Sequence, residues 1–331
     1  MRGPAFQSCS ALVVSNLSKQ SCRTTRCGVR TVRGLGEVGL IERIRRRVAR
    51  NTSVMLGIGD DAAVVRAPKR GALLVASDML IENVHFRRRS VPARWIGWKA
   101  LACNISDIAA MGGVPRWAVV SLGLPPSTPV TFVDQLYAGL QQCARRYGMV
   151  IVGGDTVRSP QVVIDVAIIG SVAQGRAVRR DGACIGDALV VTGRLGGSYV
   201  SGRHARFLPR VREAHELLRR VSVHAMMDLS DGLASDLWQM SRASHVTMRV
   251  EAARVPVASA ARTLEHALMD GEDFELLAAI ASRDMPRLPR RLGNTPLTRI
   301  GRVTGRGIGV ELAYPDGRVV PLISKGFRHF S

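Results

Sequence analysis

Leu56-Gly57-Ile58-Gly59-Asp60-Asp61-Ala62-Ala63 places two adjacent carboxylates on a flexible Gly-x-Gly turn, and an apolar run from Ala62 to Val65 follows at once. Neighbouring carboxylates repel: two unit charges ~4 Å apart cost about 4 kcal/mol even at an effective dielectric of 20. Such a pair is tolerated where water solvates it or a cation sits on it. Gly and Asp are also ordinary turn residues, and for this stretch alone a solvated turn is the simpler account. Recurrence changes that balance, because short acidic signals of the same kind return along the rest of the chain.

Ala72-Leu-Leu-Val-Ala-Ser77 reads as a buried strand that ends in Asp78, with His85 seven residues later. A strand ending in Ser-Asp sets a hydroxyl and a carboxylate where sites are often built, although a plain turn would look the same. Residues 93–111 predict a helix with Trp95, Trp98, Leu101, Ile105 and Ile108 on its apolar side. Asn104 and Asp107 share a face of it. Asp107 falls in the last turns, where a carboxylate opposes the helix macrodipole, so a purely structural role explains it poorly. Trp117 to Leu124 predicts a strand, 129–147 a helix and Met149 to Val152 a strand running into Gly153-Gly154-Asp155-Thr156. Small residues there would let a phosphate approach the backbone, with Asp155 near a metal on that phosphate. A strand from Val162 to Val172 precedes Arg179-Arg180, which offers a guanidinium for phosphate or is a solvated charge run.

A second unit is expected to begin near Ala183, with a strand at Ala188–Thr192, a Gly-rich loop from Gly193 to Ser198 and a basic helical stretch over 203–224. Met227-Asp228-Leu-Ser230-Asp231-Gly232 follows. Ser230 suits an N-cap and Asp231 the first helical turn, which leaves Asp228 without a structural reason. A strand at 246–250, a helix at 258–268, Gly271-Glu272-Asp273-Phe274-Glu275 leading into a strand at Leu276–Ile280, and a helix at 282–291 complete the pattern.

Composition bounds the rest. The 331 residues are 46% hydrophobic, enough for a sizeable core in two domains. No apolar run reaches spanning length. The net charge is +21 and 43 of 47 cationic residues are Arg. That invites a nucleic-acid reading, but the Arg residues are spread throughout and aromatics make up only 5%, so stacking platforms are scarce. Six Cys form no Cys-x-x-Cys pair and no zinc spacing, which fits a reducing cytosol. Residues 1–35 carry basic, Ser and Thr residues and no acid before Glu37. An organellar transit peptide, a disordered tail and an extension from an upstream start codon all have this composition. Gly34-Leu-Gly36-Glu-Val-Gly39 is rejected as a dinucleotide fingerprint because no strand precedes it.

Asp60, Asp61, Asp78, Asp107, Asp155, Asp228, Asp231, Glu272 and Asp273 sit at the ends of apolar elements although the chain has only 26 acids. Oxygen ligands without Cys or His suit Mg²⁺, and several such ions near Gly-rich turns suggest a nucleoside triphosphate. No Walker A motif or protein-kinase catalytic loop is present.

The motifs Leu35-Gly-Glu-Val-Gly-Leu-Ile41, Gly57-Ile-Gly-Asp-Asp-Ala62, Ser77-Asp78 with His85-Phe86, Asn104-Ile-Ser-Asp107-Ile-Ala-Ala-Met-Gly112, Gly153-Gly-Asp-Thr156, Asp228-Leu-Ser-Asp-Gly-Leu233 and Gly271-Glu-Asp-Phe-Glu-Leu276 occur in one order over residues 35–330. In this the chain resembles the thiamine-monophosphate kinase family of the aminoimidazole-ribonucleotide-synthetase-like superfamily. The resemblance implies an α/β (α+β) two-domain fold, with residues 35–180 forming an N-terminal domain that dimerises through its sheet and 181–331 a C-terminal α/β domain, after a basic extension at 1–34. It implies Mg²⁺-dependent transfer from ATP to thiamine monophosphate in a homodimer, without membrane or nucleic acid, in the cytoplasm unless the extension targets an organelle. Metal positions fall on Asp60, Ser77, Asp78, Asp107, Asp155, Asp228 and Asp231. Nucleotide positions fall on Gly154, Asp155, Arg180 and Ser230, and acceptor positions on His85, Glu272 and Phe327. The chain departs from the family pattern at Ala76, where relatives often have a hydroxyl, at Asp270, where a Gly is common, and in a short 196–212 segment. The alternatives are another superfamily enzyme with a different phosphorylated acceptor, and an Arg-rich nucleic-acid-binding protein with a vestigial enzyme fold.

Overall fold

The computed structural model describes residues 31–35, 37–49, 51–56, 64–66 and 70–323. The paired Asp60-Asp61 turn and Phe327 lie outside them.

In chain order the N-terminal part consists of α1 (Val32–Leu35), α2 (Glu37–Arg45), β1 (Val54–Leu56), β2 (Val64–Val65), β3 (Ala72–Ile81), α3 (Ala93–Ala110), β4 (Val114–Leu124), α4 (Val130–Tyr147), β5 (Val150–Arg158) and β6 (Val163–Val172). Four strands form a sheet in the order β3-β6-β4-β5, antiparallel except for the β4/β5 pair. Successive strand residues face opposite sides. Leu74, Leu80, Ile164, Val166 and Ile168 are buried with α3 and α4 in one core. The other face is covered at one end, where Trp117, Val150 and Val152 are buried against Val54 of β1 and Val65 of β2, and is open elsewhere among the described residues, with Leu73, Val75, Met79, Val119 and Val157 exposed. Helix α3 is apolar nearly all round because it lies between this sheet, α4 and the second half of the molecule.

The second half contains β7 (Ala188–Thr192), α5 (Val211–Arg220), β8 (Val223–Asp228), α6 (Leu233–Ser244), β9 (Val246–Glu251), α7 (Leu264–Met269), β10 (Leu276–Ile280), β11 (Arg291–Leu292), β12 (Thr295–Arg306), β13 (Gly309–Ala313) and β14 (Val319–Pro321). Its sheet runs β14-β13-β9-β12-β7-β10-β8, with β11 paired to β12 and only β13/β9 parallel. Helix α6 covers one face, and α5 and Ala110 of α3 cover the other. Among the described residues no helix is long and apolar enough to cross a membrane.

Several sequence expectations need correction. Strand β5 does not end at Val152 but carries Gly153 to Thr156 in its middle, and β3 carries Ser77-Asp78 past its centre. Gly154 is a packing glycine, since a Cβ there would meet Val120 O of β4 at 1.9 Å. Of 203–224 only α5 is α-helical, and Val223 and His224 already belong to β8. The helix expected over 258–268 shortens to α7, capped by Thr263 Oγ1 accepting from His266 N–H at 3.2 Å. Pro286 within 282–291 leaves a 3₁₀ turn there, followed by β11. Ser230 caps nothing: α6 starts at Leu233 with Gly232 at its N-cap and no side-chain cap bond.

Helices α3 and α4 touch backbone to backbone at two glycines. A Cβ at Gly97 would meet Leu136 O at 2.0 Å, and one at Gly139 would meet Arg94 O at 1.8 Å. Helix propensity alone would make Gly139→Ala stabilising by ~1 kcal/mol. The clash reverses the sign, and a loss of about 3 kcal/mol or more is expected in denaturant unfolding. Wild-type stability in Gly139→Ala would show that the helices separate freely.

Candidate active site

Three carboxylates from three elements converge at the junction of the two halves. Asp78 comes from the helix-covered face of β3, in register with Val166, Asp107 from the end of α3, and Asp228 from the last residue of β8. Ser106 Oγ, beside Asp107, donates to Asp228 Oδ2 at 2.6 Å. Burial, then the charges of Asp228 and Asp165, push the Asp78 carboxyl up to about 6. Burial, then Asp228 and Asp78, push Asp107 to about 8 against the pull of Arg180. Asp228 is also raised by burial, with Ser106 and Arg180 opposing. Asp236, in the first turn of α6, is driven well up by burial and by Asp228 and Asp231.

Two cavities share Asp107 and Asp228. A cleft of ≈ 790 Å³ is lined by Ser77, Asp78, His85, Asp107, Asp228, Ser230, Asp231 and Glu272 among others. A second space of ≈ 460 Å³ takes in Ala76, Asp107, Arg180 and Asp228. Arg180 donates through Nη1 to Gln239 Oε1 at 2.9 Å, and Gln239 Nε2 reaches Asp231 Oδ2 and Asp236 Oδ1, each at 3.2 Å. Arg179 instead pairs with Asp181. The donor set is oxygen only, partly buried and mutually repulsive, which a hard divalent cation such as Mg²⁺ fits. Elsewhere, the ligand atoms of Cys184, Asp187 and His224 also lie within 4.8 Å of one another. There Asp187 already accepts from Cys184 N–H at 2.8 Å and pairs with His224 at 2.9 Å.

The two motif loops bordering the cleft are joined by their backbones. Leu229 N–H donates to Glu275 O at 2.8 Å, Phe274 N–H to Leu229 O at 2.7 Å and Glu272 N–H to Ser230 O at 2.7 Å. Asp273 and Glu275 face inward and hold the 193–210 segment. Gly196 N–H and Ser198 Oγ donate to Asp273 at 2.7 and 2.6 Å, and Arg203 donates to it at 2.5 Å. Glu275 accepts from Thr192 Oγ1 at 2.7 Å and from Arg210 through both carboxylate oxygens. Asp270, standing where a Gly was expected, accepts from Gly197 N–H at 2.9 Å.

The expected site residues fall into groups. Asp78, Asp107, Asp228, Asp231, Ser230, His85 and Glu272 meet in the cleft, and Arg180 borders the adjoining space. Gly154 and Asp155 do not join them. Asp155 stands exposed on edge strand β5, in register with Ser121, itself in register with Asp165 and Met79 across the sheet. Ser77 faces that open side too, donating to Asp165 Oδ1 at 3.0 Å, and borders the cleft only because β3 is the opposite edge. Three residues went unnoticed in the sequence reading. Asp165 interrupts the apolar run Val162-Val-Ile-Asp-Val-Ala-Ile, Asp236 interrupts Leu233-Ala-Ser-Asp-Leu-Trp, and Lys99 sits between Trp98 and Ala100. A lone charge in an apolar element was the available signal for each.

Comparison with known proteins identifies the family of the fold. The family model described as AIR synthase related protein, N-terminal domain, matches residues 59–172, and its C-terminal counterpart matches 185–312. The thiamine-monophosphate kinase of Rhodopirellula baltica is 38% identical over 311 residues, covering 88% of this chain and 97% of that protein. The one from Bacillus subtilis is 34% identical, covering 89% and 100%. Among solved structures, a thiamine-monophosphate kinase from Stenotrophomonas maltophilia K279a superposes with TM-score 0.74 at 33% identity, over 85% of this chain and 96% of that one. AaThiL complexed with AMPPCP and TMP superposes with TM-score 0.69 at 29% identity, over 89% and 97%. The hydrogenase maturation protein HypE, at 22% identity and TM-score 0.72, shares the fold. Fold, motif order and sequence identity together place this chain in the thiamine-monophosphate kinase family of the AIR synthase related proteins.

Proposed function

We infer that this chain transfers the γ-phosphoryl group of ATP to thiamine monophosphate, giving thiamine diphosphate and ADP. The observation that carries this reading is the shared wall of Asp107 and Asp228 between two adjoining spaces, one bordered by Arg180 and the other by His85 and Glu272. Such an arrangement suits two phosphorylated molecules meeting end to end. The relatives' names and the AMPPCP and TMP held by AaThiL support it.

The acceptor is a phosphate monoester, mostly ionised at neutral pH because its second pKa is about 6. It needs no general base. The difficulty is bringing two polyanions together and in line. Asp78, Asp107, Asp228 and Asp231 would hold Mg²⁺ in the cleft, Ser77 and Asp155 would hold it on the open sheet face, Asp60 is proposed as a further ligand, and bound Mg²⁺ would supply charge neutralisation on the phosphates. Arg180 adds a fixed guanidinium on the nucleotide side, and Ser230 stands beside the metal acids. His85 and Glu272 border the acceptor, with Phe327 a further contact. Direct transfer without a phospho-enzyme follows. The cluster of raised carboxylates argues against a vestigial site in a nucleic-acid-binding protein.

We further propose a homodimer through the open sheet face, where Val75 is 72% exposed beside Leu73, Met79, Val119 and Val157. An apolar face of this kind is unusual on a monomer. A second copy laid on it would enclose Gly154 and Asp155, giving them their place at the nucleotide end. The domain border is placed at 180/181, which the gap between the two family models accommodates. The protein is placed in the cytoplasm.

Purified protein with ATP, Mg²⁺ and thiamine monophosphate is expected to form thiamine diphosphate and ADP in equal amounts; nucleotide binding without thiamine diphosphate would refute the acceptor. Asp107→Asn should lower turnover by about 10²–10³-fold or more with the fold retained, and near wild-type activity would remove Asp107 from the metal site. Carboxyls raised above their unfolded value near 3.9 make the metal-free protein lose stability as pH rises through about 6 and about 8. Thermal melts should therefore show a larger Mg²⁺ stabilisation near pH 8 than near pH 5, and a pH-independent gain would contradict ligation by Asp78 and Asp107. Light scattering should find a dimer that Val75→Asp converts to monomer; a monomeric wild type would sink the interface.

A further inference from the structure

Lys99 is the most deeply buried cation of the described chain, with 1% of its side chain exposed. It lies on α3, two turns before Asp107. Its Nζ donates to His85 O at 2.8 Å and to Glu272 Oε1 at 2.5 Å, and lies 3.2 Å from His204 Nδ1. His204 Nδ1 is in turn 3.1 Å from Glu272 Oε2. One ammonium thus holds the turn after β3, the 193–210 segment and the 270–275 loop. The first and last of these line the cleft directly, and Tyr199, whose ring lies 4.9 Å from that of His204, lines it for the second.

The loop it holds is not at rest by itself. Glu272 has φ 62° and Phe274 φ 49°, both in the left-handed region. Such backbone persists only when its surroundings over-determine it. Phe274 is fixed by stacking on Phe207, centroids 4.0 Å apart, and Glu272 is fixed by Lys99 and His204. Burial works against the Glu272 charge, but the bonds from His204 and Lys99 outweigh it and keep the carboxyl below its ordinary range.

We propose that Lys99 is a positioning residue for the acceptor, acting through Glu272 and His85 to set the acceptor wall at a fixed distance from Asp107 on the same helix. The proposal rests on the kinase reading above. On this account Glu272 reaches the acceptor already ion-paired, and contributes orientation and an accepting oxygen more than net charge.

The test compares wild type, Lys99→Met, Lys99→Arg and the double variant Lys99→Met with Glu272→Gln. Readouts are kcat, acceptor KM, affinity for Mg²⁺ with the ATP analogue AMPPCP, and thermal unfolding. Acceptor KM is expected to rise roughly tenfold or more in every variant, while AMPPCP affinity stays within about twofold. Lys99→Arg keeps the charge but spreads its donors over a plane, so it should stay folded and still bind acceptor poorly. The double variant leaves no unpaired carboxylate, so its melting temperature should recover from that of Lys99→Met without recovery of acceptor KM. Wild-type acceptor KM in Lys99→Arg, or its return in the double variant along with stability, would overturn the proposal. Should Lys99→Met not fold, the other two variants decide. Absence of thiamine diphosphate formation by the wild type would count against the kinase reading instead.

Discussion

The repulsion among Asp78, Asp107 and Asp228 is the constraint around which the molecule is arranged. Each comes from a different element, and each is raised by burial and by at least one other acid. A chain free to relax would separate them, since like charges in a partly buried space cost several kcal/mol. They stay together because each sits on something rigid. Asp78 lies in a ten-residue strand paired along its length with β6. Asp107 lies on a helix locked to α4 by the glycine contact at Gly97 and Gly139. Asp228 lies at the end of a strand whose following loop is hydrogen-bonded to the 271–275 loop. The site stores unfavourable charge, which a bound cation would convert into affinity.

The second half of the site rests on buried ion pairs of another kind. Asp273 and Glu275, each 1% exposed, are matched by Arg203 and Arg210. Buried pairs of this sort add little net stability over apolar replacements, but removing one partner costs about 3–5 kcal/mol. Their consequence is geometric. They give the 193–210 segment one conformation and carry Tyr199 to the cleft, with His204 behind it. The acidic motif therefore divides its work: Glu272 faces the cleft, while Asp273 and Glu275 hold the wall behind it.

Much of this was legible in the sequence. Asp78, Asp107, Asp228 and Glu272, which meet in the cleft, stood out as acids at the ends of apolar elements, while the two-domain fold and their meeting in one site were implied by the family resemblance. Strand length was not legible, because Gly153 and Gly154 look like a stop while packing on β4 carries β5 through them. Facing was lost with it. Ser77 and Asp78 are adjacent, and a two-residue period necessarily sends them to opposite sides. The helix expected at 282–291 failed for a local reason, Pro286, that the sequence did contain. Asp165 and Asp236 were not legible as site residues because they sit inside their elements, whereas the other acids read as standing at element ends.

Lys99 carries the same lesson in composition. The chain uses Arg for 43 of its 47 cationic residues, so at any given position a cation is expected to be Arg. One of the four exceptions falls at the most buried cation described, where His85 O, Glu272 Oε1 and His204 Nδ1 surround a single point at 2.5 to 3.2 Å. A guanidinium is planar and projects its donors outward in a fork, suiting a carboxylate approached edge-on, as Arg210 meets Glu275. An ammonium is compact and aims three donors tetrahedrally. The three contacts around Lys99 Nζ match the second. A Lys inside an apolar helix of an Arg-rich chain is thus a sequence signal for a position where shape, and not charge alone, selects the cation.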